Sequence, residues 1–282
     1  MINACRKVVN SLLVGVCAGL AVASSVATAA LPPEAAAVFR MAENGRWYAD
    51  ADRLKPEIVP TSDGQSFAVI WKAGSSQPRR WIVSLHGSQG FATDDLAIWY
   101  PHLRNRDVGL VSLQWWNGKD DSTRSYLPPH VMYREIDQLL QRLGVAPGTA
   151  MLHGFSRGAA NAYAVLALDR GRGRRYFGLA VASSGGVGID FPPNRDLVAG
   201  KFGQRPLDGS RWITVAGGRD QNPDRDGIPG MRRAADWLRE QGAVVVDAIE
   251  DARAGHGALV TNGANARRVL DVFFADSPSA GK

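Results

Sequence analysis

Short apolar runs rich in β-branched and aromatic residues recur along the chain, at residues 67–71, 81–85, 109–113, 150–152, 179–182, 212–215 and 244–249. Several are apolar at every position, as strands covered on both faces must be. Between them the period changes to that of a helix. Met132, Ile136, Leu139, Leu140 and Leu143 share one face, and Gly144 supplies a stop. Met231, Ala235 and Leu238 follow Pro229 and precede Gly242, and Val269, Leu270, Phe273 and Phe274 mark a last helix. Strands alternating with helices predict an α/β fold with a mostly parallel central sheet and helices on both faces. Two longer connections, residues 116–130 and 185–210, are rich in Gly, Pro and Asp. Connections of this length in a compact domain usually carry function, so both are candidate substrate-binding or lid segments.

The first 29 residues follow another pattern. Arg6 and Lys7 give a positive start, an apolar run covers residues 8–22, and Ala27-Thr28-Ala29 offers small residues for cleavage. This is the make-up of a secretory signal. The expected organisation is a signal peptide over residues 1–29 and one domain over 30–282, exported to the periplasm or the medium. The apolar run is short for a membrane span and ends in Ser24, Ser25 and Thr28, so no stable membrane anchor is expected. Cys5 and Cys17 are the only cysteines and both fall in this segment. A cleaved chain would therefore hold no disulfide, redox pair or thiolate metal site.

Charge excludes little else. The formal net charge is +6, and the densest basic cluster is Arg170, Arg172, Arg174 and Arg175. These follow a helical stretch, where cations favour the negative end of the dipole. No aromatic residues interleave them, so nucleic acid is not an expected partner.

The candidate chemistry centres on Gly154-Phe155-Ser156-Arg157-Gly158, which stands between the apolar run ending at Leu152 and the alanine-rich stretch 159–168. Strand, GxSxG and helix come in the order of a nucleophile elbow, whose strained turn exposes the serine and needs small neighbours two residues to either side. Serine needs a base, and five histidines exist: His86, His102, His130, His153 and His256. His256 lies in the glycine-flanked loop Ala254-Gly255-His256-Gly257 after the last strand, where an imidazole can return over the sheet edge. His153 belongs to the strand leading to Ser156 and reads as a packed or hydrogen-bonded residue; His102 and His130 read as surface or supporting residues.

A carboxylate should orient the base. Asp220 follows the strand 212–215 through Ala216-Gly217-Gly218-Arg219, which places it at the same sheet edge as Ser156. Asp224 and Asp226 are rivals that look like turn and cap residues, and Asp247 lies inside a strand. An oxyanion would need two N–H donors. The Arg157 amide is one candidate. The other lies in His86-Gly87-Ser88-Gln89-Gly90, with the Ser88 amide favoured and Gly87 as the alternative. Trp115 and Trp116, at the end of the third apolar run, are candidate substrate contacts, with core packing expected for one of them because neighbours on a strand face opposite ways. Asn222, Asp224, Asp226 and Gly227 look like the start of a calcium loop, but the twelfth position is Arg233 where a carboxylate belongs. Neither a metal nor a cofactor is expected.

Taken in order, HGSQG, GFSRG, GGRD and AGHG resemble the α/β-hydrolase superfamily over about residues 60 to 275. The resemblance implies an eight-stranded, mostly parallel sheet, an acyl-enzyme mechanism with Ser156, Asp220 and His256, and esterase as the commonest activity. The short oxyanion motif and the length look more like polyester depolymerases, feruloyl-type esterases and dienelactone-hydrolase relatives than lipases with HGGG loops. The expected partner is a small-molecule or polymeric ester. A serine peptidase, or a hydrolase-fold protein that only binds a ligand, are the alternatives.

Overall fold

Each of the seven apolar runs becomes a strand in the computed structural model, which describes residues 30–275. The expected signal segment, with both cysteines, lies outside the described residues. The strands are β1 (Glu57–Pro60), β2 (Phe67–Ala73), β3 (Trp81–Leu85), β4 (Val108–Leu113), β5 (Ala150–Phe155), β6 (Phe177–Ser183), β7 (Arg211–Gly217) and β8 (Val244–Asp251). The helices are α1 (Pro33–Glu43), α2 (Tyr48–Asp52), α3 (Ala92–Leu103), α4 (Pro129–Arg142), α5 (Arg157–Gly171), α6 (Pro192–Val198), α7 (Ile228–Glu240), α8 (Ala258–Thr261) and α9 (Gly263–Ala275).

One eight-stranded sheet results, in the order β1-β2-β4-β3-β5-β6-β7-β8. The first two pairings are antiparallel and the rest parallel. Alternation along each strand divides the core in two. Val83, Leu85, Leu152, Ala180 and Trp212 face α4, α5 and α7. Ile82, Met151, Val181, Ile213 and Val215 face α1, α3 and α9. Both faces are covered, which is why the central runs carry no polar alternation.

β1 and α3 are among the elements with no counterpart in the apolar pattern. β1 is a four-residue edge strand in which only Val59 is buried. α3 buries Ala92, Leu96, Trp99 and Leu103 at helical spacing, but Asp95 and Thr93 are buried too, and Pro101 interrupts the helix. A buried carboxylate and an internal proline hide an amphipathic helix from a reading by periodicity.

Asp95 is part of a buried polar chain between α3 and the sheet. The Ser112 hydroxyl donates to its Oδ2 at 2.7 Å, and Ser84 also hydrogen-bonds it. Ser84 Oγ lies 2.9 Å from His153 Nδ1, and the Trp99 indole donates to the same nitrogen at 3.2 Å. An indole N–H can only donate, so Nδ1 is an acceptor and the ring hydrogen sits on Nε2. Burial holds His153 neutral, its pKa lowered to about 3. With Ser84 donating to His153, its oxygen is free to accept a proton carried by Asp95. Burial indeed pushes Asp95 up to about 7. The Ser84–His153 contact is thus a structural bond beneath the sheet, as the packed reading of His153 supposed.

The sign of the pH effect follows. A carboxyl raised from about 3.9 to about 7 on folding adds stability that is complete below the unfolded value and lost as pH rises through the folded one. Asp95→Asn mimics the protonated form, with an oxygen for Ser112 and an amide for Ser84. Its stability relative to wild type should therefore rise by about 2–3 kcal/mol between pH 5 and pH 8. Urea unfolding at the two pH values measures this difference; parallel pH profiles for the two proteins would show that Asp95 is ionised in the fold.

Candidate active site

Ser156 sits at the junction of β5 and α5 with φ 54° and ψ −120°, a left-handed backbone that a non-glycine residue adopts at a cost. The flanking glycines permit the turn, and what they make room for is backbone. A Cβ on Gly154 would stand 2.5 Å from the Gly158 carbonyl oxygen, and one on Gly158 would stand 2.1 Å from that of Leu85. What requires glycine is the close passage of α5 across the ends of β5 and β3. α5 then starts with its N-terminus at the serine, and Ser156 lines a polar pocket of about 290 Å³.

β7 and β8 are neighbours in the sheet, so the turns after them meet although 36 residues separate Asp220 from His256. His256 Nδ1 lies 2.7 Å from Asp220 Oδ2. The other carboxylate oxygen, Oδ1, accepts the Asn222 N–H at 2.8 Å. The Asp220 side chain is 0% exposed, whereas that of His256 is 36% exposed. A carboxylate that accepts at Nδ1 fixes the ring hydrogen there and leaves Nε2 as the acceptor. The imidazole edge rests against the ring of Phe155, 5.1 Å between centroids, directly before Ser156 in the chain.

The rival carboxylates make their bonds to other groups. The Asp224 side chain is 89% exposed beside Arg233, and Asp247 pairs with Arg268 through two hydrogen bonds at 2.6 Å. Asp226 departs from the expected turn or cap role. It is buried, and both its oxygens accept from the Arg225 guanidinium at 2.8–3.1 Å. Asp220, Asp226 and His256 bring ligand atoms within 4.8 Å of one another. As a metal donor set they fit poorly, because Arg225 already supplies the positive charge beside Asp226 and Asp220 is committed to His256 and Asn222.

Ser88, Ser156 and Arg157 line the same polar pocket. A Cβ on Gly87 would lie 3.3 Å from that of Ser156, which measures how closely the loop after β3 approaches the serine. The Gly87–Ser88 peptide is held by its oxygen, which accepts from Gly90 N–H at 3.2 Å and from His86 Nδ1 at 2.8 Å. His86 Nε2 accepts the Trp115 N–H at 3.4 Å, so the proton is on Nδ1, and burial lowers its pKa to about 4. In a trans peptide the N–H opposes the C=O; the Ser88 N–H therefore points away from His86. His86 as the anchor of this peptide has no signal in the sequence beyond its place in HGSQG.

Beside the polar pocket, and sharing Arg157, Thr123, Phe191 and Pro192 with it, lies a mainly apolar cleft of about 320 Å³. Tyr126, Leu127, Pro128 and Pro129 of the first long connection and Phe191, Pro192, Pro193 and Phe202 of the second form its walls. Trp115 borders this cleft but is only 1% exposed, its ring stacked on His86. Trp116 borders neither space beside Ser156; it packs on Phe91 and donates to the Asp120 carbonyl oxygen. The structure thus does not bring Trp116 to the candidate site: it stands beyond the end of β4, where its indole is held by Phe91 and the Asp120 carbonyl oxygen.

The sheet order, the strained serine after β5 and the carboxylate and histidine after β7 and β8 define the α/β-hydrolase fold. Solved structures agree. An esterase from Pyrobaculum calidifontis superposes with a TM-score of 0.57 at 16% identity, over 86% of this chain and 92% of that one. One of two fungal esterases from Rhizomucor miehei gives 0.57 at 14% identity, over 87% and 96%. A phospholipase/carboxylesterase from Dyadobacter fermentans gives 0.53 at 16% identity, over 73% and 95%. Family models and curated protein sequences yield no match.

Proposed function

We propose that the protein is an exported serine esterase that acts through an acyl-enzyme. The observation that carries this reading is the convergence of three chain segments. Ser156 is strained at the head of α5, and His256, oriented by a buried carboxylate at 2.7 Å, rests on the residue beside it.

In this mechanism His256 Nε2 takes the Ser156 proton as Oγ adds to the ester carbonyl, and Asp220 stabilises the imidazolium. The Ser156–His256 hydrogen bond closes as the ester binds, since such bonds commonly tighten only in the substrate complex. The Ser88 and Arg157 amides, which donate to no backbone acceptor among the described residues, receive the developing negative charge. His256 then protonates the departing alcohol and activates water to release the acid. The apolar cleft suits a hydrocarbon or aryl portion of the ester, with Trp115 behind its wall. Esters are the first substrates to try because neighbours on this fold are named esterases, and the N-terminal sequence supports export.

The test is a panel of acyl esters, aryl esters and peptide amides, combined with a fluorophosphonate probe. Ester turnover should stand well above amide turnover, and the probe should modify Ser156. A folded protein that the probe leaves untouched would point to a ligand-binding role, and matched kcat/KM for an ester and its amide would point to a peptidase. The protein should be recovered from outside the cytoplasm with its N-terminus after Ala29 or Ala30; a chain confined to the cytoplasm overturns the export part alone, and one found outside but still starting at Met1 overturns the cleavage.

A further inference from the structure

We propose that Tyr126 and Asp121, from the connection between β4 and α4, are positioning residues that hold both amide donors of the proposed oxyanion site. The inference rests on the esterase reading above and names residues that no part of the motif pattern marks.

The bonds run in one direction. Gln89, directly after Ser88, donates its backbone N–H to the Tyr126 hydroxyl at 3.0 Å. Tyr126 donates in turn to Asp121 Oδ1 at 2.6 Å. From the other side, Arg157 Nη2 donates to Asp121 Oδ2 and to the Asp121 carbonyl oxygen, both at 3.1 Å. The guanidinium also lies over the Tyr126 ring, 4.3 Å from its centroid. Asp121 is therefore the point at which the Ser88 loop and the head of α5 are tied together. Burial and the Asp121 hydrogen bond push the tyrosine pKa up to about 12, which keeps it a donor to Asp121 and so an acceptor for Gln89.

Physical need accompanies the geometry. Gln89 has φ 54°, a left-handed conformation in a residue with a side chain, and such a backbone persists only where its surroundings fix it. Tyr126 is 8% exposed, so water does not readily replace its hydroxyl as the acceptor for Gln89. The tyrosine is itself anchored. Its ring packs on Trp115 at 4.8 Å, it forms a β-bridge with Trp116, and the next residue, Leu127, donates its N–H to the Trp115 carbonyl oxygen at 2.8 Å. His86 fixes one end of the Ser88 segment and Tyr126 the other. A transition-state donor gains its effect from being held in place before the reaction, and small displacements are costly.

Tyr126→Phe tests this, since it removes one oxygen and keeps the ring under Arg157 and against Trp115. On an activated aryl ester kcat should fall about 10- to 100-fold with KM nearly unchanged. Inhibition by a phenylboronic acid, which forms a tetrahedral adduct, should weaken by the same factor. A purely structural tether for the loop would move KM or the melting temperature and leave kcat and boronate affinity alone; that result overturns the proposal. If Tyr126→Phe does not fold, Asp121→Asn decides. It keeps an acceptor for Tyr126 while weakening the hold on Arg157, so a several-fold loss of kcat is expected and an unchanged kcat overturns the proposal. Wild-type labelling by the fluorophosphonate separates the two levels: an unlabelled wild type removes the esterase reading and this inference with it, whereas a labelled wild type with a fully active Tyr126→Phe removes this inference alone.

Discussion

Ester turnover by Ser156→Ala is expected to fall about 10⁶-fold in kcat, His256→Ala should fall by a similar factor, and the double variant should be no slower than either. In the proposed mechanism nucleophile and base act as one unit, so removing either removes the acyl-enzyme route entire. What survives is the contribution of the bound substrate and the two amides, on the order of 10³- to 10⁴-fold over water. Neither substitution threatens the fold. Ser156 makes no side-chain cap to α5, and alanine bears the left-handed backbone no worse than serine does. His256 is partly exposed and its loss opens a solvent-facing gap rather than a core cavity. Single-turnover and steady-state rates on one activated ester, with melts of all three variants, provide the measurement. Independent losses that multiply in the double variant would mean that Ser156 and His256 do not share a proton, and would redirect the search to another nucleophile.

Local patterns in the sequence reached as far as local physics reaches. The GxSxG turn is legible because strand, turn and helix are contiguous, and because glycine is needed where α5 crosses β5 and β3. Asp220 and His256 are legible for a topological reason: in a parallel sheet the loops after successive strands open on one edge, and β7 and β8 are neighbours. Residues whose positions depend on side-chain packing are a different matter. Asp95 sits in a helix at a core position because Ser112 and Ser84 receive it, and no periodicity predicts that. Trp115 and Trp116 are adjacent in sequence, and only the end of β4 decides that one borders the cleft and the other does not. Tyr126 and Asp121 occupy a long connection whose Gly, Pro and Asp content marks a candidate substrate-binding or lid segment, but gives no sign of the bonds that reach both Gln89 and Arg157. Asp226 looked like a turn residue because its sequence neighbours are polar; its burial comes from the fold, and its charge is met by Arg225.

That pairing of Asp226 with Arg225 makes the carboxylates separable by experiment, and Asp220→Asn is expected to lower kcat by about 10⁴ while Asp226→Asn costs less than about 10-fold. In Asp220→Asn the amide oxygen can still accept the Asn222 N–H in place of Oδ1, which keeps the turn. The amide nitrogen then faces His256 Nδ1 where Oδ2 accepted. Two N–H groups cannot point at each other, so the imidazole shifts its hydrogen to Nε2, the atom that must accept the Ser156 proton. The variant should therefore remain folded and bind ester normally while losing its base. Asp226→Asn removes a charge from beside Asp220 without touching His256, and the released Arg225, with a side chain 62% exposed, is free to be solvated. Asp224→Asn, at an 89% exposed side chain, should be silent. Steady-state kcat and KM for the three variants, with melting temperatures to confirm folding, distinguish the roles. A nearly normal Asp220→Asn beside a crippled Asp226→Asn would move the orienting carboxylate to Asp226 and leave the Ser156–His256 chemistry in place.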